Sequence, residues 1–131
     1  MKEIRIALVD TDATTIKTLE EQINNISSAS VHCILAPNLS NLYELESKYI
    51  NVVIIDADLT NYAGIEAMQK INALYYPYVK IIAVAENISL DLVRIIVETG
   101  ALGLISKKEI AASLGSVMQS VMCNRIFIEP F

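Results

Sequence analysis

An α/β fold with a wholly parallel, five-stranded sheet is predicted by three observations. Short β-branched runs without polar alternation recur along the chain, the pattern of strands buried on both faces. Segments with apolar residues at helical spacing separate these runs. The length, 131 residues, is that of one domain.

The elements follow in order. Ile4–Val9 is a first strand that ends on acids, and Ile16, Leu19, Ile23 and Ile26 then fall at helical spacing with Lys17, Glu20, Glu21 and Asn24 between them. Val31–Leu35 is a second strand, followed by a helical stretch through Leu39, Leu42 and Leu45. Val52–Ile55 is a third, closed by Asp56, and Ile65, Met68, Ile71 and Leu74 mark the third helix. Lys80–Val84 is the fourth strand, with a helix over Asp91–Thr99 that Gly100 stops. Leu104–Ile105 is the fifth, and Ile110, Leu114, Val117 and Val121 define the fifth helix. Right-handed crossovers leave few arrangements for such a (βα)5 chain, and the flavodoxin-like doubly wound sheet is the natural one. Residues 1–124 are read as the domain and 125–131 as the start of a linker or tail.

Composition removes several classes of function. Apolar residues make up 53% and charged residues 19%, with mean hydropathy +0.44, which excludes intrinsic disorder. Runs such as Val52–Ile55 and Ile81–Ala85 fall far short of the ~20 residues a membrane span needs. The opening MKEIRIALVD has no cleavage-site pattern, so no signal peptide is expected. A net charge of −5 argues against this segment gripping nucleic acid. Cys33 and Cys123 are expected to be free buried thiols in a reducing cytoplasm, and His32, beside Cys33 in a strand, to do nothing chemical.

The informative residues follow the strands. Strand one ends Val9-Asp10-Thr11-Asp12, strand three Ile55-Asp56-Ala57-Asp58, and strand five leads into Ser106-Lys107-Lys108. Ligands of doubly wound sheets sit at the carboxyl ends of strands, where connections diverge. Carboxylates converging there repel one another unless a cation is bound, and hard oxygen ligands suit Mg2+. A lysine across the crevice would pair with a carboxylate or with a phosphoryl group attached to one. Together these residues form a candidate metal-assisted phosphoryl-transfer site. Taken singly they also admit plainer roles: Asp12, just ahead of the first helix, fits an N-cap, and Asp10 fits a loop acid.

The spacing resembles that of receiver domains of bacterial two-component response regulators across essentially the whole chain. VVIIDADLTNYAGIEAM is similar to the family's phosphoacceptor block, with Gly64 eight positions after Asp56. ETGALGLISKK is similar to its Gly-Ala-x-Gly-hydrophobic-hydrophobic-x-Lys block, ending at Lys107, 51 residues after Asp56. The tail after Lys107, which lacks a following proline, looks most like receivers of LuxR-type transcriptional regulators.

The resemblance implies that Asp56 accepts a phosphoryl group from a histidine kinase or a small phosphodonor. It implies that Lys107 binds the phosphoryl oxygens, and that Mg2+ lies between the Asp56 carboxylate, acids after strand one (Asp10, with Asp12 in reserve) and Asp58. LuxR-type relatives also suggest the fifth helix as the region of a homodimer, and the resemblance leaves room for a DNA-binding domain beyond Phe131 without showing one. Three residues depart from the family pattern. Thr11 stands where a second metal-binding acid is usual, Ala85 where a Ser or Thr contacts the phosphoryl group, and Leu104 where an aromatic switch residue lies. Two readings follow: a working receiver, or a phosphorylation-independent interaction module on the same fold.

An enzyme reading stands beside them. ALVDTDATT also matches Asp-x-Asp-x-Thr after an apolar strand, the first motif of haloacid-dehalogenase-type phosphatases, with Asp10 as nucleophile and Asp12 as acid/base. That family needs further acids after its lysine, and here only Glu109 and Glu129 follow Lys107. Nucleotide-binding glycine loops are absent after strand one.

The fifth helix carries no charge from Ile110 to Asn124. Beside its core stripe runs a second one, Ala111, Gly115, Met118 and Met122, which is expected to form a protein contact. By contrast, Asp91, Arg94 and Glu98 give the fourth helix an ordinary charged face.

Overall fold

The computed structural model describes residues 4–9, 12–26, 29–34, 45, 49–58 and 63–129, and for 29–34 and 63 it describes the backbone alone. Its elements are β1 (Ile4–Val9), α1 (Ala13–Ile23), β2 (Ala29–Ile34), β3 (Val52–Asp56), α2 (Ala63–Tyr75), β4 (Lys80–Ala85), α3 (Leu90–Glu98), β5 (Gly103–Ser106), a 3-10 turn (Lys107–Glu109), α4 (Ile110–Met122) and β6 (Phe127–Ile128). All pairings are parallel and the strand order is β2-β1-β3-β4-β5-β6. The first five strands take the flavodoxin-like order expected of the sequence. The chain leaves β1 in one direction to make β2 and returns on the other side to make β3, so β1 and β3 flank the point where the winding reverses.

The inner stretches of β1, β3, β4 and β5 are apolar because both sheet faces are covered there, and alternation sorts their side chains between two cores. Ala7, Val9, Val53, Ile55, Ile81, Ala83 and Leu104 pack with Met68 and Ile71 of α2 and Ile96 of α3. Ile6, Leu8, Val52, Ile54, Ile82, Val84 and Ile105 pack with Leu19 and Ile23 of α1 and with Ile110, Leu114, Val117 and Val121 of α4. Asp56 shares the parity of Val52 and Ile54, which aims it toward the α1–α4 side at the carboxyl end of its strand. Gly100 has φ +90° after α3, the left-handed stop its position suggested. Arg94 lies 3.9 Å from Asp91 on the exposed face of α3.

Three expectations are corrected. The sheet has a sixth strand: Phe127 and Ile128 pair with Gly103 and Leu104, so the segment after residue 124 returns to the β5 edge. Its end is held by Glu129, whose Oε1 accepts from the Ser106 amide at 3.2 Å and the Ser106 hydroxyl at 3.0 Å. Met118 is 3% exposed and belongs to the core with Leu19 and Ile23, because it stands four residues after Leu114 and so on the same helix face. Ala111, Gly115 and Met122 remain at the surface. Cys123 is exposed, since it lies past the last turn of α4 as the chain swings away. The side chains of His32 and Cys33, and the expected second helix apart from the buried Leu45, lie outside the described residues.

Candidate functional site

Asp56 is the last residue of β3 and is 3% exposed. A carboxylate this buried must be hydrogen-bonded or paired, and it is both. Its Oδ1 accepts the Asp58 amide at 2.7 Å, a local turn that bends the chain at the strand end. Its Oδ2 accepts from the Lys107 ammonium at 2.8 Å. Lys107 opens the 3-10 turn after β5, and its side chain is 16% exposed. Two central strands of one sheet thus set the pair, and the rigid scaffold fixes the separation.

Lys107 faces two further acids: Oδ2 of Asp12 and Oδ2 of Asp58 each lie 3.9 Å from its Nζ. Asp12 is the N-cap of α1, with Oδ1 accepting from the Thr14 amide at 3.0 Å and Oδ2 from the Thr15 hydroxyl at 2.9 Å. The Thr15 hydroxyl first, then the Thr14 amide, hold its carboxyl below the usual aspartate range. The Asp58 side chain reaches across to β4, where its Oδ2 accepts the amide of Glu86 at 2.6 Å. Of the residues the sequence singled out, Asp12, Asp56, Asp58 and Lys107 converge, whereas Asp10 and Thr11 lie outside the described residues.

Three carboxylates around one ammonium favour a further cation, and a divalent one matches both the charge excess and the oxygen donors. The geometry qualifies this. Among the described residues no three His, Cys, Asp or Glu side chains close on a metal-sized site, because Asp12 and Asp58 turn their oxygens to helix-cap and β4 donors. Asp56 is left as the described side chain with carboxylate oxygens at the centre of the crevice. Ala85 and Leu104, at the positions where the family pattern has a hydroxyl and an aromatic ring, are both fully buried and apolar. The Glu86 amide was not legible as a site group, because a backbone donor belongs to every residue type.

A buried aspartate, a lysine bonded to it from the next strand but one and a rim of acids at the winding reversal can hold and neutralise a phosphoryl group. Structural comparison places the fold among like proteins. It is similar to a LuxR-family two-component response regulator from Aurantimonas sp. SI85-9A1, with TM-score 0.86, 20% identity, and coverage of 98% of this chain and 91% of that one. It is also similar to the isolated REC domain of RcsB from Salmonella enterica serovar Typhimurium in the presence of BeF3-, with TM-score 0.81, 14% identity, and coverage of 98% and 94%. A CheY-like receiver domain protein from Methanospirillum hungatei JF-1 matches with TM-score 0.77, 22% identity, and coverage of 94% and 96%. No curated protein matches significantly. The family model described as the response regulator receiver domain matches residues 6–119, which span both the strand-three aspartate and the strand-five lysine. With that match over most of its length, the chain belongs to the receiver domains of response regulators.

Proposed function

We propose that Asp56 is the phosphoacceptor of a two-component pathway. The observation that carries this reading is the Lys107–Asp56 pair, 2.8 Å between Nζ and Oδ2 with little solvent at either group. In the step, an Asp56 oxygen attacks phosphorus in line and the P–N bond to a kinase histidine breaks. The electron pair leaves with the imidazole nitrogen, which takes up a proton. Lys107 then follows the charge from carboxylate to phosphoryl oxygens, so catalysis is positioning and neutralisation.

Receiver domains bind Mg2+ at their acidic site, and the acid excess around Lys107 supports the same cation here. Asp56, the Asp58 carbonyl and Asp10 are the residues we assign to hold it, with Asp12 held back by its capping bonds. When bound, the ion neutralises oxygens of the transferring group. Thr11 in place of a second acid predicts weak affinity.

Output is assigned to protein contacts. The charge-free α4, with Ala111, Gly115 and Met122 at the surface, supports a homodimer, and the LuxR-family resemblance supports transcription control through a further domain, in the cytoplasm. Among the described residues no helix is long and apolar enough to cross a membrane.

A second reading, a phosphorylation-independent interaction module, is favoured by Ala85 and Leu104, which remove the hydroxyl and ring of the usual switch. Incubation with phosphoramidate or acetyl phosphate and Mg2+, followed by intact mass, separates the two. One phosphoryl group gained by the wild type and none by Asp56→Asn is expected. No gain under saturating donor leaves the interaction module.

A further inference from the structure

The Asp58 carboxylate occupies an unusual place. It leaves its own turn, crosses from the end of β3 to the end of β4, and takes the Glu86 amide at 2.6 Å. The same oxygen lies 3.9 Å from the Lys107 ammonium, which in turn bonds Asp56 at 2.8 Å. Two donors from two different strand ends, an amide and an ammonium, therefore converge on one anionic oxygen supplied by the chain itself. A phosphoryl group on Asp56 would bring dianionic oxygens to this spot and need those donors. The need is sharpened by Ala85, fully buried and without a hydroxyl, which leaves the next amide, that of Glu86, as the donor at this strand end.

We propose that the Asp58 side chain is an internal occupant of the anion pocket beside Asp56, and that its withdrawal from the Glu86 amide limits how fast Asp56 is phosphorylated. This rests on Asp56 being the acceptor. The carboxylate opposes the incoming group in two ways: it holds a donor the phosphoryl oxygens require, and its charge repels them across a few ångströms. The side chain is 39% exposed, so it has room to swing outward when displaced. A charge-assisted bond of this kind must be broken before the pocket opens, which at its usual strength corresponds to about tenfold or more in rate.

The test compares wild type, Asp58→Ala, Asp58→Asn and Asp56→Asn. Phosphoryl uptake from phosphoramidate with Mg2+ is timed by intact mass, and the Glu86 amide is followed by 1H–15N NMR without donor. We expect the Glu86 amide proton to shift upfield and exchange faster in Asp58→Ala, and uptake to rise about tenfold. Asp58→Asn, which keeps the shape and removes the charge, falls between the two. Equal uptake in wild type and Asp58→Ala, or a Glu86 amide unmoved by the substitution, overturns the proposal. A shifted Glu86 amide with no uptake by any variant overturns the acceptor assignment and leaves the carboxylate–amide contact supported.

Discussion

The α-carbon of Gly64, near the start of α2, stands against the carbonyl oxygen of Asp56, and a β-carbon added there would be driven into that oxygen. The eight-residue spacing between them is thus a packing requirement: the helix must pass behind the strand end that carries the site. Gly64→Ala forces backbone apart, because the obstacle is a carbonyl and not a flexible side-chain tip. Overpacking of this kind costs about 1–3 kcal/mol. Urea unfolding should show that loss, and phosphoryl uptake should slow as the Asp56 backbone is displaced. Unchanged stability would mean α2 can slide without cost.

Lys107 has a different kind of leverage. Replacing it with methionine keeps much of its volume but leaves the 3%-exposed Asp56 among Asp12 and Asp58 without its ammonium. Removing one partner of a nearly buried pair strands the other charge, and a loss of about 2–4 kcal/mol is expected. Asp56→Asn in the same background should return most of it, a coupling that separate single variants would not show. Millimolar Mg2+ should stabilise Lys107→Met more than wild type, since the ion would then be the main counter-charge. Chemical denaturation with and without MgCl2 checks both statements.

Asp12 gives stability a pH dependence of known sign. Its carboxyl is held below its ordinary value of 3.8, first by the Thr15 hydroxyl and then by the Thr14 amide. A group whose folded pKa is depressed adds stability above the unfolded value and loses it as pH falls through the folded one. Asp12→Asn keeps a good N-cap but cannot titrate. Wild type should therefore be the more stable at pH 6, and the gap should close as pH drops below about 4. Urea midpoints from pH 6 to pH 3 provide the check, and a gap that widens on acidification would contradict the assignment.

What could be read from sequence followed from period and burial. Five strands were legible because β-branched runs buried on both faces carry no polar alternation, and the N-cap at Asp12 and the stop at Gly100 follow from local backbone chemistry. The meeting of Asp56 with Lys107 was legible through topology, since both close strands of one parallel sheet. Other features were not. Phe127 and Ile128 form a strand too short to show any period, and only the free edge of β5 makes them one. The Asp58–Glu86 contact joins residues 28 apart through a backbone amide, which leaves no trace in residue type. Met118 was legible but misassigned: Leu114, Val117, Met118 and Val121 keep the i, i+3, i+4, i+7 spacing of one buried face.

That misassignment narrows the surface of α4 and sharpens a test of the dimer. Gly115 lies on the exposed side with nothing within 4 Å of the space a β-carbon would fill, and Met122 beside the helix end is 39% exposed. A side chain at 115 is therefore harmless within one copy of the chain, where replacing glycine in a helix gains roughly 0.5–1 kcal/mol. In a dimer packed through this face the same side chain meets the partner. Gly115→Glu should unfold at the wild-type urea concentration or slightly above it, yet sediment as a monomer where wild type is dimeric, because it buries an unpaired charge in the contact. Gly115→Ala should raise stability and leave association nearly intact. Sedimentation velocity at high micromolar concentration reads both, and a wild type that is monomeric there, or a Glu variant that still associates, removes this face as the interface.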